Sequence, residues 1–235
     1  MTPSQSHHPG KLSIVGTPIG NLEDITLRAL RVLREADLVA AEDTRHTGHL
    51  LAHYQIRKPL VSYHEFNEAK RSAELIERLR QGRRIALVSD AGMPTLSDPG
   101  ARLIRAAAEA EIPLEVVPGP SAVTAALAAS GLSPGGFLFH GFLPHKPGTR
   151  RKLLANLAPL PWTLVFFESP YRLIKTLHDL QELFGDRQIV IARELTKRFE
   201  EILRGDAAAL LKRLENKPVK GEITIIIKAQ SDAKH

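Results

Sequence analysis

Acidic and imidazole side chains recur in this chain immediately after short apolar runs. Glu42-Asp43-Thr44-Arg45 follows Leu38–Ala41, Tyr63-His64-Glu65-Phe66-Asn67 follows Leu60–Ser62, and Asp90 follows Ile85–Val88. Glu168-Ser169-Pro170-Tyr171-Arg172 follows Trp162–Phe167. These residue types exchange protons or orient a polar ligand, and open α/β sheets place their ligand crevices at the carboxyl ends of strands. Asp43 and Thr44 also suit a simpler role, capping the helix that carries Leu50 and Leu51. The longest such stretch is Ser89 to Gly100, twelve residues of small side chains, prolines and turn formers where a connection usually needs about 2–6. Its open backbone can face a ligand. Asp98 and Pro99 read as a helix start, Asp98 as N-cap and Pro99 in the first helical position.

Two other clusters carry chemistry. The segment from Leu143 to Lys152 holds Lys146, Arg150, Arg151 and Lys152 among two prolines and a glycine. It reads as a basic loop, either an ordinary solvated turn or, beside a ligand cleft, a contact for phosphates. His46, His49 and His53 share one helical face at i, i+3 and i+7. With no carboxylate on that stripe, a solvated or RNA-facing role is expected and no metal site.

The elements that must position these residues alternate. Lys11–Val15, Leu38–Ala41, Leu60–Ser62, Ile85–Val88 and Leu114–Val117 read as strands. Helices lie between them at 25–34, capped by Asp24, then around Leu50, up to about Gln81, and over 103–110. This alternation implies a parallel sheet with right-handed crossovers. The first strand runs into Gly16-Thr17-Pro18-Ile19-Gly20-Asn21, with Pro18 where a dinucleotide fold needs its second glycine, so a nicotinamide cofactor is rejected. Prolines and glycines from Pro118 to Gly136 mark a boundary, giving domains 1–118 and 119–235. Strands at 137–142, 162–167, 188–192, 201–204 and 221–228 and helices at 173–184 and 207–214 follow.

Composition sets outer limits. The 235 residues are 43% hydrophobic, enough for a substantial core, and contain no cysteine, which removes disulfides, thiolate metal sites and a Cys nucleophile. A cytoplasmic location is expected from the missing cysteines and the polar first ten residues, and no apolar run is long enough to span a membrane. A net charge of +6 favours an anionic partner such as nucleic acid.

Six segments together resemble the tetrapyrrole methylase superfamily of S-adenosylmethionine-dependent methyltransferases. They are Thr17–Leu22, Ala41–Arg45, Ser89–Gly92, Ser97–Gly100, Pro118–Ala122 and Phe167–Arg172, in the family's order from about Lys11 to Lys228. Within it, the motifs resemble the branch that methylates the ribose 2′-hydroxyl of a cytidine in the decoding region of small-subunit ribosomal RNA. The resemblance implies two α/β domains with the cofactor cleft between them, and a homodimer. Pro18, Ile19, Asp90, Ala91, Gly92, Met93, Ser121 and Ala122 would contact S-adenosylmethionine, with Leu143 near it in the domain connection. Relatives usually carry Thr where this chain has Met93, so that contact falls to the backbone.

Methyl transfer is an in-line displacement in which positioning supplies roughly 7–11 kcal/mol and a general base about 10²–10⁴-fold. Asp43, His64, Glu65 and Glu168 are the unranked base candidates, although Asp43 and Glu168 could simply pair with Arg45 and Arg172. Lys146, Arg150, Arg151 and Lys152 would hold rRNA phosphates, with Arg45 and Arg172 orienting the target nucleotide. Two rivals remain at this point. A tetrapyrrole ring methylase lacks support from the first loop, which is not glycine-rich here. A non-catalytic RNA-binding protein accounts for the charge but not for the converging strand-end motifs.

Overall fold

The computed structural model describes residues 10–132, 135–215 and 218–230. The chain packs as two compact units, residues 1–121 and 122–235. In the first, β1 (Lys11–Val15), β2 (Leu38–Ala41), β3 (Leu60–Ser62), β4 (Arg84–Val88) and β5 (Leu114–Val117) form one sheet in the order β3-β2-β4-β1-β5. Every pairing is parallel. Ala41 lies opposite both Ser62 and Val88, and Val15 opposite Val117, so all five carboxyl ends share one edge.

Successive side chains of a strand face opposite sides of a sheet, and the two faces collect different partners. Val15, Val39, Ala41, Ala86 and Val88 pack with Leu30, Leu33, Leu50 and Leu51 of helices α1 (Leu27–Glu35) and α2 (Thr44–His53). Leu12, Leu38, Ala40, Ile85 and Leu87 pack with Leu75, Leu79 and Leu103 of α3 (Glu68–Arg80) and α4 (Ala101–Glu109). Two expected caps move. Thr26 caps α1, its Oγ1 accepting from Ala29 N–H at 3.0 Å, because Asp24 belongs to a 3-10 turn at Leu22–Asp24. Gly100 occupies the cap position of α4, which frees Asp98 from that role.

The second unit holds α5 (Ala122–Ser130), α6 (Pro147–Leu157), α7 (Leu173–Phe184) and α8 (Ala207–Leu214) around β6 (Phe137–Phe142), β7 (Thr163–Glu168), β8 (Ile189–Arg193), β9 (Glu201–Gly205) and β10 (Ile223–Ile227). Its strand order is β6-β7-β10-β8-β9, with β6 and β7 parallel and the other pairs antiparallel. Leu154, Leu164, Phe166, Leu177, Ile191, Leu210 and Ile225 form the core under α6, α7 and α8. Among the described residues, no helix is long and apolar enough to cross a membrane.

Candidate active site

The carboxyl edge of the parallel sheet is drawn together by main-chain contacts. Thr17 and Gly92 exchange hydrogen bonds, Thr17 N–H to Gly92 O at 2.9 Å and Gly92 N–H to Thr17 O at 3.1 Å. The Thr17 hydroxyl also donates to Ser89 O at 3.1 Å, so the loops after β1 and β4 are tied twice. Gly92 has φ +80, a conformation that favours glycine. Gly16 and Gly119 pass so closely that a Cβ on Gly16 would lie 2.7 Å from Gly119 N and 2.8 Å from Met93 Sδ. Met93 therefore covers the glycine contact, which gives its long thioether a packing role in this loop. Pro18 and Ile19 are buried beside it, Asp90 and Met93 are half-buried, and Ala91 is exposed.

Carboxylates line the same edge. Asp90 Oδ1 accepts the Asp43 N–H at 3.0 Å, and Glu42 Oε2 accepts the Asp90 N–H at 3.4 Å, lacing the ends of β2 and β4 together. Asp43 caps α2, accepting from Arg45 N–H at 2.8 Å, and pairs with the Arg45 guanidinium at 2.8 Å. Those hydrogen bonds hold its carboxyl well below the usual range, which suits a structural anchor and makes it a poor base. Burial pushes Glu42 upward, reinforced by the negative charges of Asp90 and Asp43.

Asp98 was not among the site residues expected from sequence. Burial, followed by Glu42 and Asp90, pushes its carboxyl up to about 6. The loop that presents it is rigidly held. Gly100 N–H donates to Glu68 Oε1 at 3.1 Å, and the wholly buried Tyr63 accepts the Leu103 N–H at 3.2 Å while bonding Ser72 at 3.0 Å. Thr95 (φ 77) and Ser97 (φ 74) adopt left-handed conformations that cost non-glycine residues on the order of 1–3 kcal/mol each. An SD-G turn in the sequence marks the loop, but only the fold sets residue 98 near the carboxylates of Glu42 and Asp90.

A raised folded-state pKa has a definite stability signature. Between the ordinary carboxyl value and about 6 the folded chain binds the Asp98 proton more tightly than the unfolded chain, so its contribution to stability falls as pH rises through that window. Asp98→Asn is expected to raise the melting temperature at pH 8 and leave it almost unchanged at pH 4. Thermal melts of both proteins at the two pH values check this.

The other expected residues divide by environment. His64 hydrogen-bonds Asn67 through Nε2 at 3.2 Å, and its buried Nδ1 has no partner among the described residues. Glu65 is exposed beside Phe66, which is 94% exposed. Glu168 is 2% exposed and fully engaged, accepting from Thr176 Oγ1 at 2.6 Å and Ser169 N–H at 2.7 Å and pairing with Arg172 at 2.6 Å. Arg172 in turn donates to the carbonyl of the buried Leu143 at 2.9 Å. This network braces the turns after β6 and β7, so neither charge is available as a free base or a free phosphate ligand. Ser121 and Ala122 stand at the start of α5, both half-buried.

The basic loop requires correction. Pro147 begins α6, and the helical period turns Arg150 inward with Leu154 and Leu157. Arg150 is 3% exposed and its Nε donates to Asp179 Oδ2 at 2.7 Å. Arg151 bonds Asp179 Oδ1 at 3.0 Å and also Glu182. Arg150 is therefore an internal charge of the fold and cannot contact RNA; Lys146 and Lys152 remain exposed. Asp179, set among Leu173, Thr176, Leu177 and Leu180 on the buried face of α7, was the sequence signal that an inward cation was needed.

Comparison with known proteins places this geometry. The family model for tetrapyrrole (corrin/porphyrin) methylases matches residues 11–211. The chain belongs to the tetrapyrrole methylase family. As a member of it, the chain is a methyltransferase. Ribosomal RNA small subunit methyltransferase I of Thermotoga maritima is 51% identical over 93% of this chain and 98% of its own length. The protein of that name from Xylella fastidiosa is 49% identical over 95% of this chain and 83% of its own. Among solved structures, uroporphyrin-III-C-methyltransferase from Thermus thermophilus superposes with a TM-score of 0.65 at 28% identity, covering 92% of this chain and 94% of that one. A cobalt precorrin-4 methyltransferase superposes with a TM-score of 0.70 at 21% identity, over 97% and 98%, and shares the fold.

Proposed function

We propose that this chain methylates the ribose 2′-hydroxyl of a cytidine in the decoding region of small-subunit ribosomal RNA, with S-adenosylmethionine as donor. The observation that carries the reading is the 51% identity to a ribosomal RNA small subunit methyltransferase I along nearly the full length of both chains. The tetrapyrrole reading rests on a more distant solved relative at 28%. Cytoplasmic location, expected from the missing cysteines, and assembly as a homodimer, which the family resemblance implies, belong to the same proposal.

The strand-end site of the first unit fits such a donor. Gly16 and Gly119 pass in direct contact beside Met93, and Thr17 and Gly92 tie the loops after β1 and β4, so this edge presents a preformed main chain with Gly20 and Ala91 exposed beside it. Glu42, Asp90 and Asp98 suit a ligand carrying a sulfonium and an ammonium charge. When bound, S-adenosylmethionine supplies an electrophilic methyl group. The chain's part is to hold the acceptor oxygen about 3–3.5 Å from that carbon and to exclude water. Pro18, Ile19 and the backbone from Asp90 to Met93 bind the donor in this reading. The exposed Lys146, Lys152 and Arg45 meet phosphates, and base choice comes from RNA shape and base edges.

The test is methylation of small-subunit rRNA from a strain lacking this gene, with the modified nucleotide mapped. A new alkali-resistant linkage at one cytidine is expected; a methylated base, or no product, overturns the reading. Asp90→Arg removes the acceptor of the Asp43 N–H and adds a cation to this edge. Calorimetry is expected to show S-adenosylmethionine affinity at least tenfold weaker, with the melting transition retained. Wild-type affinity would remove the cofactor from this edge.

A further inference from the structure

We infer that the turns after β7 and β8 form a stacking platform for unpaired bases of the substrate RNA, built from Tyr171, Arg198 and Phe199. The platform rests on the ribosomal RNA reading above and adds a base-contacting surface to the phosphate contacts expected of the second unit.

Topology gathers these residues on one edge. β6 and β7 run parallel, and β10 is antiparallel to both β7 and β8, so β6, β7 and β8 all end on the same side of the sheet. Glu168 and Arg193 each lie opposite Ile223, which sets the turns beginning at Ser169 and Glu194 level with each other. Only β10 separates the two strands, so the roots of the turns stand two strand spacings apart, about 10 Å. That matches about three nucleotide steps of a strand at roughly 3.4 Å each. Tyr171 stands 91% exposed on the first turn and Phe199 65% exposed on the second. The Arg198 guanidinium carbon lies 5.5 Å from the centroid of the Phe199 ring, a cation–π pair held in solvent.

The turn that carries Phe199 is built to hold it there. Glu194 (φ 52) and Thr196 (φ 66) adopt left-handed conformations that are costly for non-glycine residues and persist only where their surroundings fix them. Here the surroundings do. Glu194 N–H donates to Glu222 O at 2.9 Å, Glu194 Oε1 accepts the Glu222 N–H at 3.0 Å, and Glu200 Oε2 accepts the Thr196 N–H at 2.6 Å. A Cβ on Gly221 would fall 2.3 Å from Glu194 Oε1, so the entry to β10 closes against the same turn.

Charge then selects the occupant. The carboxylates of this edge are committed within it: Glu194 and Glu222 each hold Lys197 at 3.1 Å, and Glu201 pairs with Arg193 at 3.2 Å. Arg198, and Lys146 in the segment after β6, are exposed and pair with no carboxylate among the described residues. Open aromatic faces beside free cations and neutralised acids are what an unpaired RNA strand requires, rings for its bases and cations for its backbone. A two-fold interface centred on this edge would instead set Arg198 and Lys146 against like charges of a second copy.

The test is equilibrium binding of small-subunit rRNA from a strain lacking this gene, over a salt series, by wild type, Tyr171→Ala, Phe199→Ala, Phe199→Trp and Arg198→Gln. S-adenosylmethionine affinity, melting temperature and light-scattering mass are measured alongside. Each alanine variant is expected to bind the RNA about 5- to 150-fold more weakly, the range for one lost base–aromatic stack, with the salt slope unchanged. Phe199→Trp is expected to bind as wild type does, because any aromatic face can stack a base. Arg198→Gln is expected to flatten the salt slope by about 0.7. Cofactor affinity and melting temperature are expected to hold in all four. Alanine variants that bind and methylate this RNA as wild type does overturn the platform alone, as does a loss of RNA affinity that follows a loss of melting temperature or of cofactor binding. A fall in mass to the monomer with RNA affinity unchanged assigns the edge to a second copy and overturns the platform too. Wild type that neither binds nor methylates this rRNA overturns the functional reading and the platform with it.

Discussion

Asp179→Ala is expected to destabilise the second unit by about 3–5 kcal/mol, the usual cost of stranding one member of a buried ion pair. The side chains of Arg150 and Asp179 are 4% and 8% exposed, and the contact between them is 2.7 Å. Removing the carboxylate leaves the Arg150 guanidinium inside the α6–α7 contact with no counter-charge, and also takes the 3.0 Å partner from Arg151. Arg150→Met combined with Asp179→Leu is expected to recover most of the loss, because two apolar groups of similar volume need no mutual compensation. Urea unfolding followed by far-UV circular dichroism measures both. A single variant that melts within about 1 kcal/mol of wild type would show that water reaches the pair. The same physics makes joint neutralisation of Arg150 and Arg151 a test of folding; Lys146 and Lys152 are the cleaner probes of RNA contact.

Gly16→Ala is expected to weaken S-adenosylmethionine binding at least tenfold and to cost about 1–3 kcal/mol of stability, the range for overpacking a close contact. The added carbon would stand 2.7 Å from Gly119 N, 2.8 Å from Gly119 Cα and 2.8 Å from Met93 Sδ. Met93 can swing aside, but the Gly119 backbone cannot move without parting the ends of β1 and β5, which pair from Leu12–Leu114 to Val15–Val117. Calorimetry with the cofactor and a thermal melt report the two effects. Gly148→Ala supplies the control: among the described residues, nothing beyond its own helix backbone and chain neighbours lies within 4 Å of its Cβ position, and it sits inside α6, where alanine is the better helix former. Equal behaviour of the two variants would mean that the glycine contact is not part of the binding edge.

Much of this protein was legible before folding because its information is local. The alternation of short apolar runs with 3.6-residue periodicities defined the strands and helices of the first unit and required a parallel sheet. That topology in turn places the turns after Val15, Ala41, Ser62, Val88 and Val117 on one edge. The ordered motifs from Thr17 to Arg172 likewise pointed to the family that the match over residues 11–211 shows. Direction of side chains and choice of partners were not local. Pro147 stood in a sequence that read as a basic loop, and only the packing of α6 on α7 turned Arg150 toward Asp179 and away from solvent. Glu168 read as a base until Thr176, two turns along, and Arg172 closed around it. Asp98 read as a cap, because Asp before Pro is the pattern of a helix start. Its proton affinity depends on Glu42, 56 positions earlier by residue number, and on burial against the end of β4. A sequence lists charges one at a time, whereas a pKa or an ion pair is a property of distance and solvent exclusion, and tertiary structure alone sets both.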